Sequence, residues 1–390
     1  MRWNSNSFLA LPKDALAFAW SAPMRELAAK IGISDVALKK QLTSQGIVTP
    51  PQGYWNRVHA GRSVTAPPQP RARRPGESGR VRLDARLRGH VAEAGPMPEE
   101  GPFVSRDVPE DLAGLRGQEL AKIGKAAAPR DLGRPHPGLA KLLRKEEARR
   151  VKAAASHWHW DEAHFDTPLA QRQLRLLSGL FLALARRGHG GEVWEENEEL
   201  KADCTIGEER LCLQFAIVGK HHTELRGGWQ RPARDLPART PLRLQLKRKL
   251  RAAVTTAWDD LPERPLEKQL ADIAADLIVA GEASFRQSLV EAREEAERWR
   301  RWEEERRLQR LAELDRERLG RLEQSGALLR QADDLRALVE RVSAAVERGS
   351  LSLDAGELAA WRSWALGRAE AIDPVCSGQV LSHIRPPGAD

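Results

Sequence analysis

Residues 23–46 read PMRELAAKIGISDVALKKQLTSQG, a pattern typical of two short helices joined by a tight turn. Gly32 lies where the chain must turn, and glycine tolerates the positive φ that such a turn needs. Ser34 is a good N-cap for the second helix. Leu38 and Leu42, four residues apart, give that helix an inward apolar face. The spacing predicts a helix-turn-helix.

The second helix of this stretch has a polar outward face that suits nucleic-acid binding. On a recognition helix, such side chains enter the DNA major groove and contact base edges. A plain helical hairpin with solvated lysines is the alternative. We favour DNA binding because the glycine and N-cap positions occur together at the spacing of the motif. The candidate DNA-binding residues are Ser34, Val36, Lys39, Lys40 and Thr43, with Arg25 and Lys30 of the first helix.

Charge is distributed unevenly along the 390 residues. Residues 1–155 carry 27 Lys and Arg against 15 Asp and Glu, which gives a net charge of +12. Residues 156–390 carry 36 against 40, a net charge of −4, so the whole chain has +8. The basic excess lies in the half with the helix-turn-helix, as expected of a nucleic-acid-binding region. No basic amphipathic helix with a broad apolar face occurs there, which disfavours a membrane-surface role.

Cysteine usage and hydropathy restrict the class of protein further. Cys204, Cys212 and Cys376 are too few and too scattered for a disulfide framework or a zinc site. The beginning of the sequence has no signal-peptide pattern, and no apolar run approaches the length of a membrane span. We therefore expect a cytoplasmic protein without a membrane partner, a cofactor or a metal ion.

Several runs of the sequence resemble a widespread group of uncharacterised bacterial proteins. The likeness begins with SDVALKK at 34–40, PPQGYW at 50–55 and a Gly-Arg pair at 61–62. It continues with RPHP at 134–137, FDTPLAQRQLRLLSGLFLALARRGH at 165–189 and RPLEKQL at 264–270. Members of the group begin with a helix-turn-helix. The resemblance implies DNA binding and this domain layout, and it names no reaction.

The DNA-binding domain is expected to span residues 1–61. Residues 1–22 supply a leading helix that packs on the helix-turn-helix. Tyr54 and Trp55 are expected to fold back and close the small core, which is short of large apolar groups. Base stacking is the functional alternative for this aromatic pair.

Residues 62–105 are rich in Pro, Arg and Gly, with little apolar periodicity. This composition predicts a flexible basic linker. Its Arg71, Arg73 and Arg74 could follow DNA phosphates as a basic arm. A solubilising tether is the alternative.

Residues 106–290 are predicted to form an α+β domain with a small antiparallel sheet. The stretch from Leu169 to Arg187 is a strongly amphipathic helix, with Leu174, Leu177, Phe181 and Leu184 on its core face. Period-2 alternation predicts strands, and residues 248–258 are a candidate further strand. The alternating runs are 199–206, 209–218 and 241–247.

A catalytic interpretation of this domain depends on Glu199-Leu200-Lys201. The tripeptide matches the Glu-x-Lys half of a metal-dependent nuclease site, in which a carboxylate holds Mg²⁺ and a lysine assists the attack. No partner acidic residue is recognised on a preceding strand, and the tripeptide is common by chance. We therefore predict no catalytic residue, and a metal-dependent nuclease is the third functional hypothesis.

The run HWHWDEAH offers a second candidate site for chemistry. His157, His159 and His164, with Asp161 or Glu162, are residue types that bind metals. The run lacks the defined partner set of a zinc motif, and its His-Trp alternation is more typical of an edge strand. We predict no metal site here.

The C-terminal part begins with a long charged helix over residues 291–324. Glu–Arg pairs four residues apart support it, and its apolar spacing suits an imperfect coiled coil. Trp299 and Trp302 would otherwise be exposed, so we expect a homodimer through residues 291–323. Folding back onto the C-terminal helices is the alternative. After a break at 324–326, residues 325–374 are expected to form a helical cap, and 375–390 a disordered tail.

The sequence as a whole predicts a multidomain, mostly α protein. We interpret it as a DNA-binding protein, either a bacterial transcriptional regulator or a mobile-element-associated factor, whose partner is double-stranded DNA. The alternative is a scaffold protein whose helical hairpin contacts another protein without DNA.

Overall fold

The computed structural model combines helices with a five-stranded antiparallel sheet. It describes residues 6–95, 107–155, 162–226, 229–233 and 236–384. The chain divides into two compact units, Met1–Glu291 and Ala292–Asp390. A long helix and a C-terminal helix are present, as the sequence predicted.

The N-terminal region of the first unit contains four short helices and a two-stranded sheet. Strand β1 pairs antiparallel with β2, with Phe8 opposite Leu83, and this pairing was not predicted. The predicted leading helix is present as α1 and begins at Pro12, a residue preorganised for the first helical turn. The elements are β1 (Ser7–Ala10), α1 (Pro12–Ala19), α2 (Met24–Ile31), α3 (Asp35–Ser44), α4 (Tyr54–His59) and β2 (Val81–Asp84).

Residues 62–95, predicted to belong to a flexible linker, contain ordered structure. They include β2 and a 3-10 turn over Ala85–Leu87, and both Leu83 and Leu87 are fully buried. Arg73, predicted as part of a basic arm or a tether, is instead buried in an ion pair with Glu282. The linker was predicted from the polar composition of the segment, which averages over all its residues. Composition does not show that one arginine of the segment has a buried carboxylate as its partner.

The rest of the first unit packs helices against the five-stranded sheet. The strand order is β3-β4-β5-β8-β9, with every neighbouring pair antiparallel, and β6 and β7 form a separate hairpin. The helices are α5 (Leu112–Ile123), α6 (Ala140–Ala155), α7 (Pro168–Ala185) and α8 (Leu266–Glu347). The strands are β3 (Gly190–Glu196), β4 (Glu199–Ile206), β5 (Glu209–Ile217), β6 (Thr223–Arg226), β7 (Trp229–Pro232), β8 (Leu242–Leu246) and β9 (Ala257–Asp259).

The core of this part lies between one face of the sheet, α7 and the first turns of α8. The predicted core face of α7 is confirmed, because Leu174, Leu177, Phe181 and Leu184 are fully buried. The predicted strands are confirmed as β4, β5 and β8, and the candidate strand at 248–258 is reduced to β9.

Strand β3 was missed because its sequence, GGEVWEE, shows no apolar alternation, and only Val193 in it is buried. Gly191 is required at its position, since a Cβ there would lie 2.2 Å from the Phe181 ring. The packing against α7 thus relies on close backbone approach in place of an apolar side chain.

The second unit contains the later part of α8, α9 (Ala355–Ile372) and α10 (Leu381–Ile384). The predicted helix break at 324–326 is wrong, because α8 continues through it. Gly326 costs such a helix about 1 kcal/mol, which its neighbours can offset. Ser325 is buried and its hydroxyl contacts the His383 ring nitrogen Nε2 at 2.9 Å. This contact also orders part of the predicted disordered tail.

Candidate nucleic-acid interface

Helices α2 and α3 are joined by a three-residue turn that orients α3. Gly32 has φ 75° and ψ 34°, the left-handed conformation that glycine adopts without strain. The Ser34 hydroxyl accepts a hydrogen bond of 3.2 Å from the Ala37 N–H and caps α3. Leu38 and Leu42 are fully buried in the N-terminal core. The position and rotation of α3 are therefore set by its cap and its inward leucines.

The outward face of α3 forms one wall of an open groove of about 930 Å³. Val36, Lys39, Lys40 and Thr43 are exposed on this wall. They are therefore brought to one surface, as the helical spacing of the sequence indicated.

The other three candidate residues have different positions. Ser34 serves as the N-cap of α3, and its hydroxyl is engaged there. Arg25 and Lys30 are exposed on α2 and do not line the groove. They add positive charge to α2 without contributing to the walls of the groove.

The second wall of the groove is the segment from Thr49 to Asn56, in which the sequence analysis gave only Tyr54 and Trp55 a binding role, as the alternative of base stacking. Gly53, with φ 77°, turns the chain into α4. The Tyr54 ring lies edge-on to Trp20, with 5.0 Å between ring centroids. The Trp20 indole N–H donates a hydrogen bond of 2.8 Å to the Val48 carbonyl. These contacts fix the second wall to the core of the N-terminal region, as expected if Tyr54 closes that core. In the sequence, the PPQGYW run was the feature that could have indicated this wall.

Cations outnumber anions in the segment that carries this surface, and the charged residues that line the groove are Asp35, Lys39 and Lys40. Residues 1–62 contain eight Lys and Arg against three Asp and Glu. Elsewhere in the same region Arg71 is neutralised by Glu77 at 2.6 Å. In the described part of the chain, by contrast, no ion pair forms at the exposed side chains of Arg25, Lys30, Lys39, Lys40, Arg57 and Arg62.

A second groove, of about 370 Å³, contains the Glu-x-Lys tripeptide of β4. The Lys201 ammonium lies 2.5 Å from the Glu199 carboxylate. Glu196 of β3 is the cross-strand partner of Glu199, an acidic neighbour that was missed together with β3. Among the described residues, no three His, Cys, Asp or Glu side chains are arranged to hold a metal ion.

His164, a candidate metal ligand, lies instead in a cluster of ion pairs. Its Nδ1 is 2.6 Å from a carboxylate oxygen of Glu195, which also contacts Lys145 and Arg149. Burial opposes ionisation of Glu195, but hydrogen bonds from Arg149, Lys145 and His164 outweigh it and lower its pKa to about 2. His157, His159 and Asp161 lie outside the described residues.

Comparisons of the chain with protein-family models, with curated proteins and with solved structures found no match. Within the described residues, no helix combines the length and the apolar character needed to cross a membrane. The function is therefore inferred from the geometry and charge of the α3 groove itself.

Proposed function

We propose that this protein binds double-stranded DNA, with α3 as the recognition helix of a helix-turn-helix in the major groove. One observation carries the proposal. Lys39 and Lys40 are exposed beside Val36 and Thr43 on one face of α3, and neither lysine has an acidic partner among the described residues. We propose that it acts either as a transcriptional regulator or as a factor associated with a mobile element.

The chemistry of this face suits the edges of bases. Lysine donates to guanine O6 and N7, threonine bonds to several bases, and an apolar side chain contacts the thymine methyl group. Val36 is 71% exposed, so its methyl groups are accessible to a thymine methyl group. DNA would cover Val36 and neutralise the lysines at the same time.

The second wall supports a contact with the DNA backbone. Gln52 and Asn56 are exposed polar residues that line the groove. Phosphate contacts from such side chains fix the register of a protein on the duplex without reading sequence. Arg57 and Arg62, exposed just beyond the groove, would add electrostatic attraction.

The proposal is tested by titrating the full-length chain against a short duplex of random sequence at several salt concentrations. Each phosphate contact contributes about 0.9 to the slope of log affinity against log salt. Replacing Lys39 and Lys40 by Ala is expected to lower this slope, or to cost about 1–3 kcal/mol for each lysine that binds a base edge. The matched control replaces Lys125 and Lys220, two exposed lysines of the sheet region, and removes the same charge.

Unchanged affinity and salt slope after the Lys39 and Lys40 exchange would refute the proposal. An equal loss of affinity in the Lys125 and Lys220 control would reduce it to attraction by net charge alone. Selection of bound duplexes from the random pool then gives the recognised sequence.

A protein partner is the second candidate, because the same groove has an apolar component. Met24, Val36, Tyr54 and Trp55 all contribute to its lining. Binding through such apolar side chains changes little with salt, whereas DNA binding weakens steeply. No duplex binding at low salt would therefore favour the protein partner.

A further inference from the structure

A long segment of α8 in the second unit is exposed along its whole length in the part of the chain that the structure describes. Every residue from Arg298 to Glu313 is exposed. Trp299 is 62% exposed and Trp302 is 45% exposed, with 4.9 Å between the centroids of their rings. Exposed apolar surface of this kind marks an interaction site.

The C-terminal helices of the unit do not cover this segment. The buried positions on this part of α8 begin at Ser325 and continue through Ala332 and Val339. The matching buried residues of α9 are Ala365 and Ala369. Among the described residues, the tryptophans therefore do not fold back onto the chain's own helices.

The sequence around the tryptophans has a mirrored charge pattern. Residues 294–307 read EEAERWRRWEEERR. About a midpoint between Arg300 and Arg301, Trp299 mirrors Trp302, and three pairs of opposite charges mirror each other. The mirrored opposite charges are Glu294 with Arg307, Glu295 with Arg306, and Arg298 with Glu303.

We propose that two copies of the chain associate antiparallel through residues 294–307, with the two-fold axis between Arg300 and Arg301. In such an interface, residue i of one copy meets residue j of the other, and j meets i. Trp299 of each copy then meets Trp302 of the other. This inference is independent of the proposed DNA binding.

The helical period places the attractive pairs at the interface. With 3.6 residues per turn, Glu295 and Arg306 lie within roughly 10° of the line midway between the two tryptophans. Arg298 and Glu303 lie roughly 70° to either side of that line. Opposite charges therefore meet at the centre and along both edges of the interface.

The repulsive mirror pairs lie away from the interface. Glu297 would face Glu304, and Arg300 would face Arg301, if they were on the interface side. The same helical period places these four residues roughly 130–170° from the tryptophan line, on the solvent side. A parallel pairing in register would instead set Glu295 against Glu295 and Arg306 against Arg306, which is unfavourable.

Arg306 is already positioned at the proposed interface. Its guanidinium lies 4.9 Å from the centroid of the Trp302 ring, in a cation–π arrangement. Glu295 makes no ion pair with another described residue, so its carboxylate is available to a second copy. Tryptophan and arginine are the residues that most often anchor interfaces.

The test uses sedimentation equilibrium of the full-length chain. We expect a dimer at tens of micromolar, and replacing both tryptophans by Ala is expected to weaken it about thirtyfold or more. Glu295→Arg alone and Arg306→Glu alone should each weaken it, because like charges then meet twice. An equimolar mixture of these two variants should recover the dimer, since both pairs become complementary in the heterodimer.

The matched control is Glu297→Arg, which makes the same charge change on the solvent side of the helix. It should leave the dimer unaffected. A monomeric full-length chain at tens of micromolar would overturn the proposal, as would a dimer that survives loss of both tryptophans. Failure of the mixture to recover the dimer would overturn the antiparallel register. Trp299, Trp302, Glu295 and Arg306 are exposed, whereas Glu297 is partly buried and pairs with Arg293 along the helix. Circular dichroism therefore checks the folding of every variant, the control included.

Discussion

Arg73 donates hydrogen bonds of 2.9 and 2.5 Å to the two carboxylate oxygens of Glu282, which lies 209 residues further along the chain. The two side chains are only 8% and 0% exposed. Glu282 also accepts a hydrogen bond of 2.9 Å from the backbone N–H of Gly76. Within the first unit, these bonds hold the segment that follows α4 against α8.

Breaking this buried pair should be strongly destabilising, because it leaves an uncompensated charge in the interior. Glu282→Gln keeps the shape of the side chain but removes the carboxylate charge that pairs with the buried Arg73 and with Arg286. We expect a loss of about 3–5 kcal/mol in the free energy of unfolding, measured by urea titration. Arg71→Ala, which breaks the exposed pair with Glu77, should cost at most about 1 kcal/mol. If the two variants lost similar free energies of unfolding, burial would not raise the cost of breaking an ion pair in this protein.

The close contact between the backbones of Gly76 and Gly207 provides a second test of how the segment after α4 is held in the first unit. Gly207 has φ 60°, and a Cβ added there would lie 2.5 Å from the Gly76 carbonyl carbon. Gly61 has nearly the same φ, 64°, but no atom within 4 Å of an added Cβ. Gly61→Ala should therefore cost only the left-handed backbone strain, about 1–2 kcal/mol.

Gly207→Ala should cost more than this, because steric overlap with the backbone is added to the same strain. Thermal unfolding of the two variants measures the difference directly. Equal melting temperatures would show that the close approach of the two glycines relaxes freely.

His189 should make stability depend on pH. Burial lowers its pKa from 6.5 to about 4, so the folded chain holds it neutral. The unfolded chain binds a proton near pH 6.5 and the folded chain does not, so stability is lost as the pH falls below that value. Between pH 7 and pH 5, His189 should remove about 2 kcal/mol.

His189→Gln removes this titration and should flatten the dependence by that amount in urea titrations at the two pH values. Glu195 has a pKa of about 2 in the folded chain and an ordinary pKa of 4.5. Its titration therefore affects stability only below about pH 4.5, outside the range from pH 7 to pH 5. An unaltered pH dependence in the variant would refute the burial argument.

Features that depend on residues close together in the sequence were predicted, and features that depend on distant residues were not. Elements defined by local periodicity, such as α7 with Leu174 and Leu177 on its core face, could be predicted. The outward face of α3 could also be predicted, because four of its candidate residues follow from helical spacing alone. The groove could not, since its second wall is formed by a segment that has no periodic pattern.

Features that depend on distant partners were missed for a physical reason. Arg73 lies in an Arg/Pro/Gly-rich stretch, and its partner is Glu282. Strand β3 pairs with β4 and packs closely on Phe181 because Gly191 has no side chain, and such packing leaves no apolar pattern in the sequence. The break expected at Gly326 did not occur because packing overrides a weak helix propensity.

Val36 provides a test of base readout that is independent of charge. If α3 enters the major groove, Val36→Ala should relax the preference at one base pair in duplexes selected from a random pool, with the salt slope unchanged. Because Val36 is 71% exposed, the stability of the chain should change by no more than about 0.5 kcal/mol. An identical selected sequence would place Val36 away from the bases.

The contact between Ser325 and His383 should hold α10 against α8 in the second unit. The two side chains are buried and their polar atoms are 2.9 Å apart, while Arg318 donates a hydrogen bond of 2.7 Å to the His383 carbonyl. His383→Ala would leave the Ser325 hydroxyl buried without its partner, at a cost of about 1–3 kcal/mol. Ser382→Ala changes the exposed neighbour and is the matched control.

Amide hydrogen exchange measures the local stability of α8 around Ser325. His383→Ala should speed exchange of the α8 amides around Ser325, whereas the control should not. A Ser325→Ala variant and the double variant complete a cycle, and their effects should be non-additive because the two groups bond to each other. Additive effects would mean that α10 is held by the hydrogen bonds from Arg318 to its backbone, and that the buried side chains act independently.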